Sequence, residues 1–242
     1  MDQHLKVSRT VGAVVFLVLA AACSKSSGQT SAGETTSPDN LSVPASTLSA
    51  SSAVSNDTDG APPGAKVLDT LKTGEAFTVT VLASNTVDDP SRWQFTVRSV
   101  ECGKPLDSAV LNFSAASVGS PTPAPVPTPE SGKQFCVLTM NARNVGKSKA
   151  VWDVSDKVSL NVGDTRYEES QKDSEYSSAY AQYYNSKGQV APTFGLNPGS
   201  QGPVHGVFQI PTGQKPTSVW VTSGTAITTI DGPQPGYLVL LK

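Results

Sequence analysis

Apolar and polar residues alternate most clearly over 133–144 (KQFCVLTMNARN), where Cys136, Leu138, Met140 and Ala142 interleave with Phe135, Val137, Thr139 and Asn141. Period-two alternation closed by Gly132 and Gly146 predicts a strand that ends in a turn. The pattern returns at 77–82 (FTVTVL), 93–100 (WQFTVRSV), 158–162 (VSLNV), 165–167, 204–210 (VHGVFQI), 218–222 (SVWVT) and 237–241 (YLVLL). Trp93, Phe95 and Val97 share one face of their strand, and Phe208 and Ile210 share the inward face of theirs. Asp88-Asp89-Pro90 and Asn197-Pro198-Gly199 predict turns between strands. Many short strands joined by Gly and Pro turns predict an all-β antiparallel sandwich.

The alternation fails in two places. Residues 106–131 form a long interruption, and 121–129 carry proline at every other position. That spacing removes backbone donors and favours polyproline II, so 103–131 is expected to be a proline-rich loop. It serves either as a stiff surface loop, which is preferred, or as a ligand for a proline-recognising partner. The second break is a tyrosine-rich insertion at 168–190. Within 173–184, Tyr176, Tyr180, Tyr183 and Tyr184 fall at i, i+4, i+7 and i+8, on one face of a short helix. Asp173 or Ser174 is placed to cap it. The tyrosines are either a candidate binding surface for glycan or peptide, or a face packed onto the end of the sandwich.

The first 22 residues differ from everything that follows. Lys6 and Arg9 precede an uncharged, mostly apolar run at 11–22, too short to span a membrane, and Cys23 comes at once. Leu19-Ala20-Ala21-Ala22-Cys23 resembles the lipobox of bacterial lipoproteins, with Ala20 where that motif usually has Leu. The resemblance implies cleavage before Cys23 and diacylglycerol on its thiol. Two or three acyl chains would then hold the protein stably at the outer face of the cell membrane. Residues 1–22 are therefore read as a lipoprotein signal peptide. Residues 23–64 are read as the lipidated Cys followed by a disordered tether of Ser, Thr, Ala and Pro, which lacks any aromatic side chain. Residues 65–242 are read as the sandwich.

Charge excludes one partner class. The chain carries −2, and removing 1–22 takes Asp2, Lys6 and Arg9 and leaves −3, so no basic footprint for nucleic acid exists. The expected partners are the membrane, through the lipid, and an envelope protein or glycan.

Candidate chemistry is sparse. With Cys23 acylated, Cys102 and Cys136 remain, 34 positions apart on either side of the proline loop. In an oxidising compartment such a pair is expected to form a disulfide. Apart from His4 in the leader, the one histidine is His205, opposite Phe208 and Ile210 on its strand and so expected at the solvent or a rim. No G-x-S-x-G elbow accompanies it. Asp153, Asp156, Asp164, Glu168 and Glu169 do not follow calcium-loop spacing and read as solvated turns. The chain is expected to be non-catalytic, with no cofactor and no metal.

A longer pattern links these strands. Gly132-Lys133-Gln134-Phe135, Asn144-Val145-Gly146, Tyr167, Leu196-Asn197-Pro198-Gly199 and Phe208-Gln209-Ile210-Pro211 follow one another in order. Over 74–222 the chain resembles a family of bacterial lipoproteins with an immunoglobulin-like domain of unknown function, in the telokin-like superfamily. The resemblance implies a seven- to nine-stranded antiparallel sandwich of immunoglobulin type and no catalytic residues. The leading expectation is a cell-surface lipoprotein that presents a binding domain to the envelope. The alternatives are an accessory sensor or regulatory subunit of a transporter or kinase, and an envelope hydrolase or inhibitor.

Overall fold

The computed structural model describes residues 60–82, 90–120, 122–155, 157–224 and 232–242. The expected signal peptide, Cys23, most of the tether, Asp156 and the Asp88-Asp89 turn lie outside the described residues.

Among the described residues the architecture is the expected two-sheet sandwich. One sheet has four strands in the order β2-β3-β4-β7: β2 Ala76–Val81, β3 Ser91–Cys102, β4 Lys133–Asn144 and β7 Gln201–Pro211. The other has five in the order β1-β9-β8-β5-β6: β1 Val67–Lys72, β5 Val158–Val162, β6 Thr165–Tyr167, β8 Ser218–Thr222 and β9 Gly236–Leu240. Their facing sides bury Trp93, Phe95, Val97, Leu138, Met140, Phe208 and Ile210 against Leu160, Val219, Val221 and Val239. The alternation in the sequence put these residues on the inward faces for a simple reason: in a strand, every second side chain points the same way.

β4 is the longest-paired strand. Trp93 to Cys102 of β3 runs antiparallel along one side and Gln201 to Pro211 of β7 along the other. Its register sets Cys136 directly opposite Cys102, and the two are joined as a disulfide. The bridge ties neighbouring strands and closes the segment between them.

Asn144 ends β4 and is wholly buried. Its Nδ2 donates to the carbonyls of Ser148 and Leu196, both at 2.8 Å, and its Oδ1 accepts from the Gly146 N–H at 2.8 Å. The Asn144-Val-Gly146 and Leu196-Asn-Pro-Gly199 motifs are thus two halves of one contact. The Gly199 N–H completes it by donating to the Asn144 carbonyl at 2.8 Å.

Several expectations are corrected. The sandwich is not wholly antiparallel, because β1 pairs parallel with β9. β1 carried no clear alternation since it is an edge strand with most of its side chains exposed. Gly60, ahead of the expected boundary at residue 65, is already packed on the sandwich: a Cβ there would lie 2.7 Å from both Asn161 Nδ2 and Ser218 Oγ. The interruption at 106–131 is not all loop. Its first half is a helix, α1 Ser108–Ser117, whose N-cap Asp107 accepts from the Ala109 N–H at 2.8 Å. The helix forms because Leu106 and Val110 bury themselves against Phe135, Val207 and Tyr180. The proline stretch that follows is irregular and mostly exposed. It is tied back by the Ala124 N–H donating to Asn112 Oδ1 at 2.7 Å.

The tyrosine segment is a longer helix than expected, α2 Gln171–Ser186. Ser170 caps it, not Asp173 or Ser174. Asp173 closes a capping box by accepting from the Ser170 N–H. α2 does not sit on the end of the sandwich. It lies across the outer face of the four-stranded sheet, over β7, with α1 beside it. That face carries its own apolar cluster of Leu106, Val110, Phe135, Ala179, Tyr180 and Val207. No helix among the described residues is long and apolar enough to cross a membrane.

Candidate functional site

α2 brings the chemically distinctive residues together. Its tyrosines turn toward α1 and the sheet, with Tyr176, Tyr183 and Tyr184 half-buried. Tyr180 is buried, and its hydroxyl accepts from the Asp107 N–H at 3.1 Å. Tyr176 meets Phe135 edge-on at 5.8 Å between ring centroids, and Tyr183 meets Phe113 at 5.9 Å. Tyr184 and Tyr180 both stack on His205, at 4.6 and 5.0 Å. The four rings are the seam between α2, α1 and the sheet.

His205, expected at the solvent or a rim, is half-buried at the lining of the space under α2. It does lie on the outward face of β7, but that face is roofed by α2. Desolvation without any charged partner lowers its pKa from 6.5 to about 4. The imidazole is neutral at physiological pH.

Glu169 is the second correction. It follows β6 and precedes the cap of α2, which reads as a turn, yet the carboxyl is tucked against β7. Its Oε1 accepts from the Val207 N–H at 2.8 Å and from the Ser177 hydroxyl. Ser177 Oγ in turn accepts from the same Val207 N–H at 2.8 Å. Burial outweighs these hydrogen bonds, and with Asp173 and Asp153 nearby the Glu169 pKa rises from 4.5 to about 7.

Between α2, β7, the 152–155 crossover and the 191–193 turn lies a cavity of about 60 Å3. Ser174, Ser177, Ser178 and Ala181 line it from α2, Pro203 to His205 from β7, and Trp152 to Ser155 from the crossover. Among the described residues three buried side-chain polar atoms lack a hydrogen-bond partner: Trp152 Nε1, Glu169 Oε2 and His205 Nδ1. All three belong to residues that line this one cavity. Buried polar atoms are nearly always paired, so three orphans around one space are a concentrated demand for a polar guest.

The site has no cationic lining residue. Asp153, its other carboxylate, is paired with Lys157 at 2.8 Å. No group of three or more His, Cys, Asp and Glu side chains suited to a metal comes together among the described residues.

Of the residues singled out by the sequence, Cys102 and Cys136 are bridged at the far end of β3 and β4, away from the cavity lining. Trp152 and the serines escaped the sequence reading as site residues, and Glu169 was read as a solvated turn. A signal was present: Ser174, Ser177, Ser178 and Ala181 stand at i, i+3, i+4 and i+7, a small-residue stripe beside the tyrosine stripe. A helix needs such a stripe where it leaves space instead of filling it.

The fold class is thus an all-β sandwich with a two-helix layer on one sheet. No protein-family model matches the chain, and no curated protein does. Among solved structures it is similar to MPT63, a secreted protein from Mycobacterium tuberculosis, at 14% identity over 72% of this chain and 95% of that one, with a TM-score of 0.40. It is also similar to an uncharacterized β-sandwich protein from Clostridium difficile, at 13% identity over 73% and 96%, TM-score 0.36. A conserved hypothetical protein from Bacillus anthracis gives 15% identity over 61% and 90%, TM-score 0.33.

Proposed function

We propose that this chain is a lipid-anchored, extracytoplasmic binding protein of the bacterial envelope. In this reading it uses the sandwich as a rigid, non-catalytic platform and the cavity beneath α2 as its ligand site. The observation that carries the reading is the convergence of Trp152 Nε1, Glu169 Oε2 and His205 Nδ1, all unpaired, on one cavity. The Cys102–Cys136 bridge supports an oxidising compartment. The basic, apolar and small-residue order of 1–22 ahead of Cys23 supports export and lipidation, as does the resemblance to lipoproteins with an immunoglobulin-like domain. His205 stacks on Tyr180 and Tyr184, and the Ser177 hydroxyl donates to the Glu169 carboxylate; the non-catalytic role belongs to this proposal.

Two measurements test this. The intact mass of the full chain from membranes should include a diacylglyceryl group that Cys23→Ser removes. An unmodified mass in the membrane fraction would end the anchor half of the proposal. Solubilised cell-wall fragments should bind the full chain and lose that binding in Ala181→Leu, which fills the cavity from α2 with a good helix former. Equal binding by the two proteins would place the ligand site elsewhere.

A further inference from the structure

We propose that the cavity beneath α2 takes a neutral acetamido group, CH3–CO–NH–, carried by an amino sugar or by a peptide. This rests on the cavity being the binding site.

The donor set selects the class. Trp152 Nε1 can only donate, and Trp152 is almost wholly buried, so it requires an acceptor. Glu169 Oε2, with its sister oxygen already held by the Val207 N–H, accepts when ionised. The guest must therefore offer an acceptor and a donor together. An ammonium group satisfies Glu169 and leaves the indole unpaired. A carboxylate satisfies the indole but is repelled by Glu169 when that group is ionised, with no cation in the lining to offset it. A lone hydroxyl can satisfy both but leaves the apolar part of the wall, Val204, Ala181 and Ala191, without contact. A secondary amide has one acceptor and one donor, and the acetyl methyl supplies the apolar contact.

Size agrees. A water needs roughly 10–15 Å3 of such space, so about 60 Å3 admits a group of about four non-hydrogen atoms. An acetamido group has that many. The rest of the ligand stays outside, past Ser174 and Ser178. His205 Nδ1 then separates the two sources. An amino sugar offers ring hydroxyls beside its acetamido group to this third polar atom, where a peptide offers its next amide.

The test uses the ¹⁵N-labelled full chain and the indole N–H resonance of Trp152. Trp93 and Trp220 already donate to Ser91 Oγ at 3.3 Å and Thr222 Oγ1 at 3.1 Å, and Trp152→Phe identifies the third signal by its loss. The probes are N-acetylglucosamine, N-acetylalanine methylamide, glucose, glucosamine and acetate. N-acetylglucosamine should move the Trp152 resonance at the lowest concentration and the methylamide at a higher one, while glucose, glucosamine and acetate leave it in place. Glu169→Gln turns the free acceptor into a donor, because its carbonyl stays on the Val207 N–H, and should weaken N-acetylglucosamine about tenfold or more. Ala181→Leu should abolish the response, and each variant's otherwise unchanged spectrum shows that it is folded.

A response to the methylamide stronger than to the sugar supports the proposal and names a peptide as the source. Glucose acting as strongly as N-acetylglucosamine overturns the acetamido class. Silence from all five probes also overturns it, and if cell-wall fragments still bind in an Ala181-dependent way the cavity remains the site. If both responses are absent, the cavity is not the site and both readings fall together.

Discussion

Glu169 offers a measurement that isolates one buried group. Its native pKa of about 7 stands well above the ordinary 4.5, with burial as the first cause. A carboxyl whose pKa is raised by folding stabilises the native state while it is protonated in that state. That contribution is complete below pH 4.5 and is lost as the pH climbs through about 7. One pKa unit is about 1.4 kcal/mol, so the full loss is at most about 3 kcal/mol, and less because a carboxyl at an open cavity is partly screened. His205 has the opposite sign. It is held neutral with a pKa lowered from 6.5 to about 4, so its contribution is present above 6.5 and lost as pH falls through 4. In the wild-type protein the two effects nearly cancel between 4.5 and 6.5, and a simple stability profile would hide both. Glu169→Gln removes the charge and keeps the shape, and the His205 effect is common to both proteins. Subtracting wild-type from variant unfolding free energy, by urea titration with tryptophan fluorescence, should give a difference that rises by about 2–3 kcal/mol from about pH 5 to about pH 8. A difference that stays flat across that range would mean Glu169 is solvated, and the geometry built on it would be wrong.

Other perturbations separate the supports of the fold. Replacing Cys102 and Cys136 together by Ala should lower stability by about 3–4 kcal/mol on the loop-entropy argument, read as a lower urea midpoint. Asn144→Ala strands the Gly146 N–H and removes a donor from the Ser148 and Leu196 carbonyls, the latter keeping the Ala150 N–H, so a loss of about 2–3 kcal/mol is expected in the same titration. Gly202→Ala should prevent normal folding, because its Cβ would lie 1.8 Å from the Val190 carbonyl oxygen; a native-like circular dichroism spectrum and midpoint would refute that. Tyr180→Phe removes one hydrogen bond to the start of α1 and should cost about 1 kcal/mol, with faster amide exchange confined to α1.

Alternation in the sequence reports which side chains share a face. It does not report whether something covers that face. This is why Trp93, Phe95, Val97, Leu138, Met140, Phe208 and Ile210 were legible as core, while for His205 the sequence reached only solvent or a rim and not the α2 cover above it. The cysteine pair was legible because only two candidates remained after Cys23. Its cross-strand register became visible only once β3 and β4 were paired. α1 was hidden by its neighbours: a single turn-and-a-half of apolar residues next to a proline run looks like loop until Phe135 and Val207 are seen to need cover. Glu169 was illegible for a deeper reason. A lone acidic residue between a strand and a helix cap is the commonest kind of surface residue, and only tertiary packing made it otherwise. The Asn-x-Gly and Leu-x-Pro-Gly motifs were readable as a pair, and the bonds through Asn144 give that pairing its physical cause.

The parallel pairing of β1 with β9 sets an order of events if the chain is exported as proposed. Thr73 bonds to the Leu240 carbonyl across 167 positions, and β9 also closes against β8. A chain emerging from a membrane pore with its N-terminus first presents β1 long before its partner exists. If Cys23 is acylated at the membrane, that modification is made on a chain whose five-stranded sheet is still open until β9 arrives between β1 and β8.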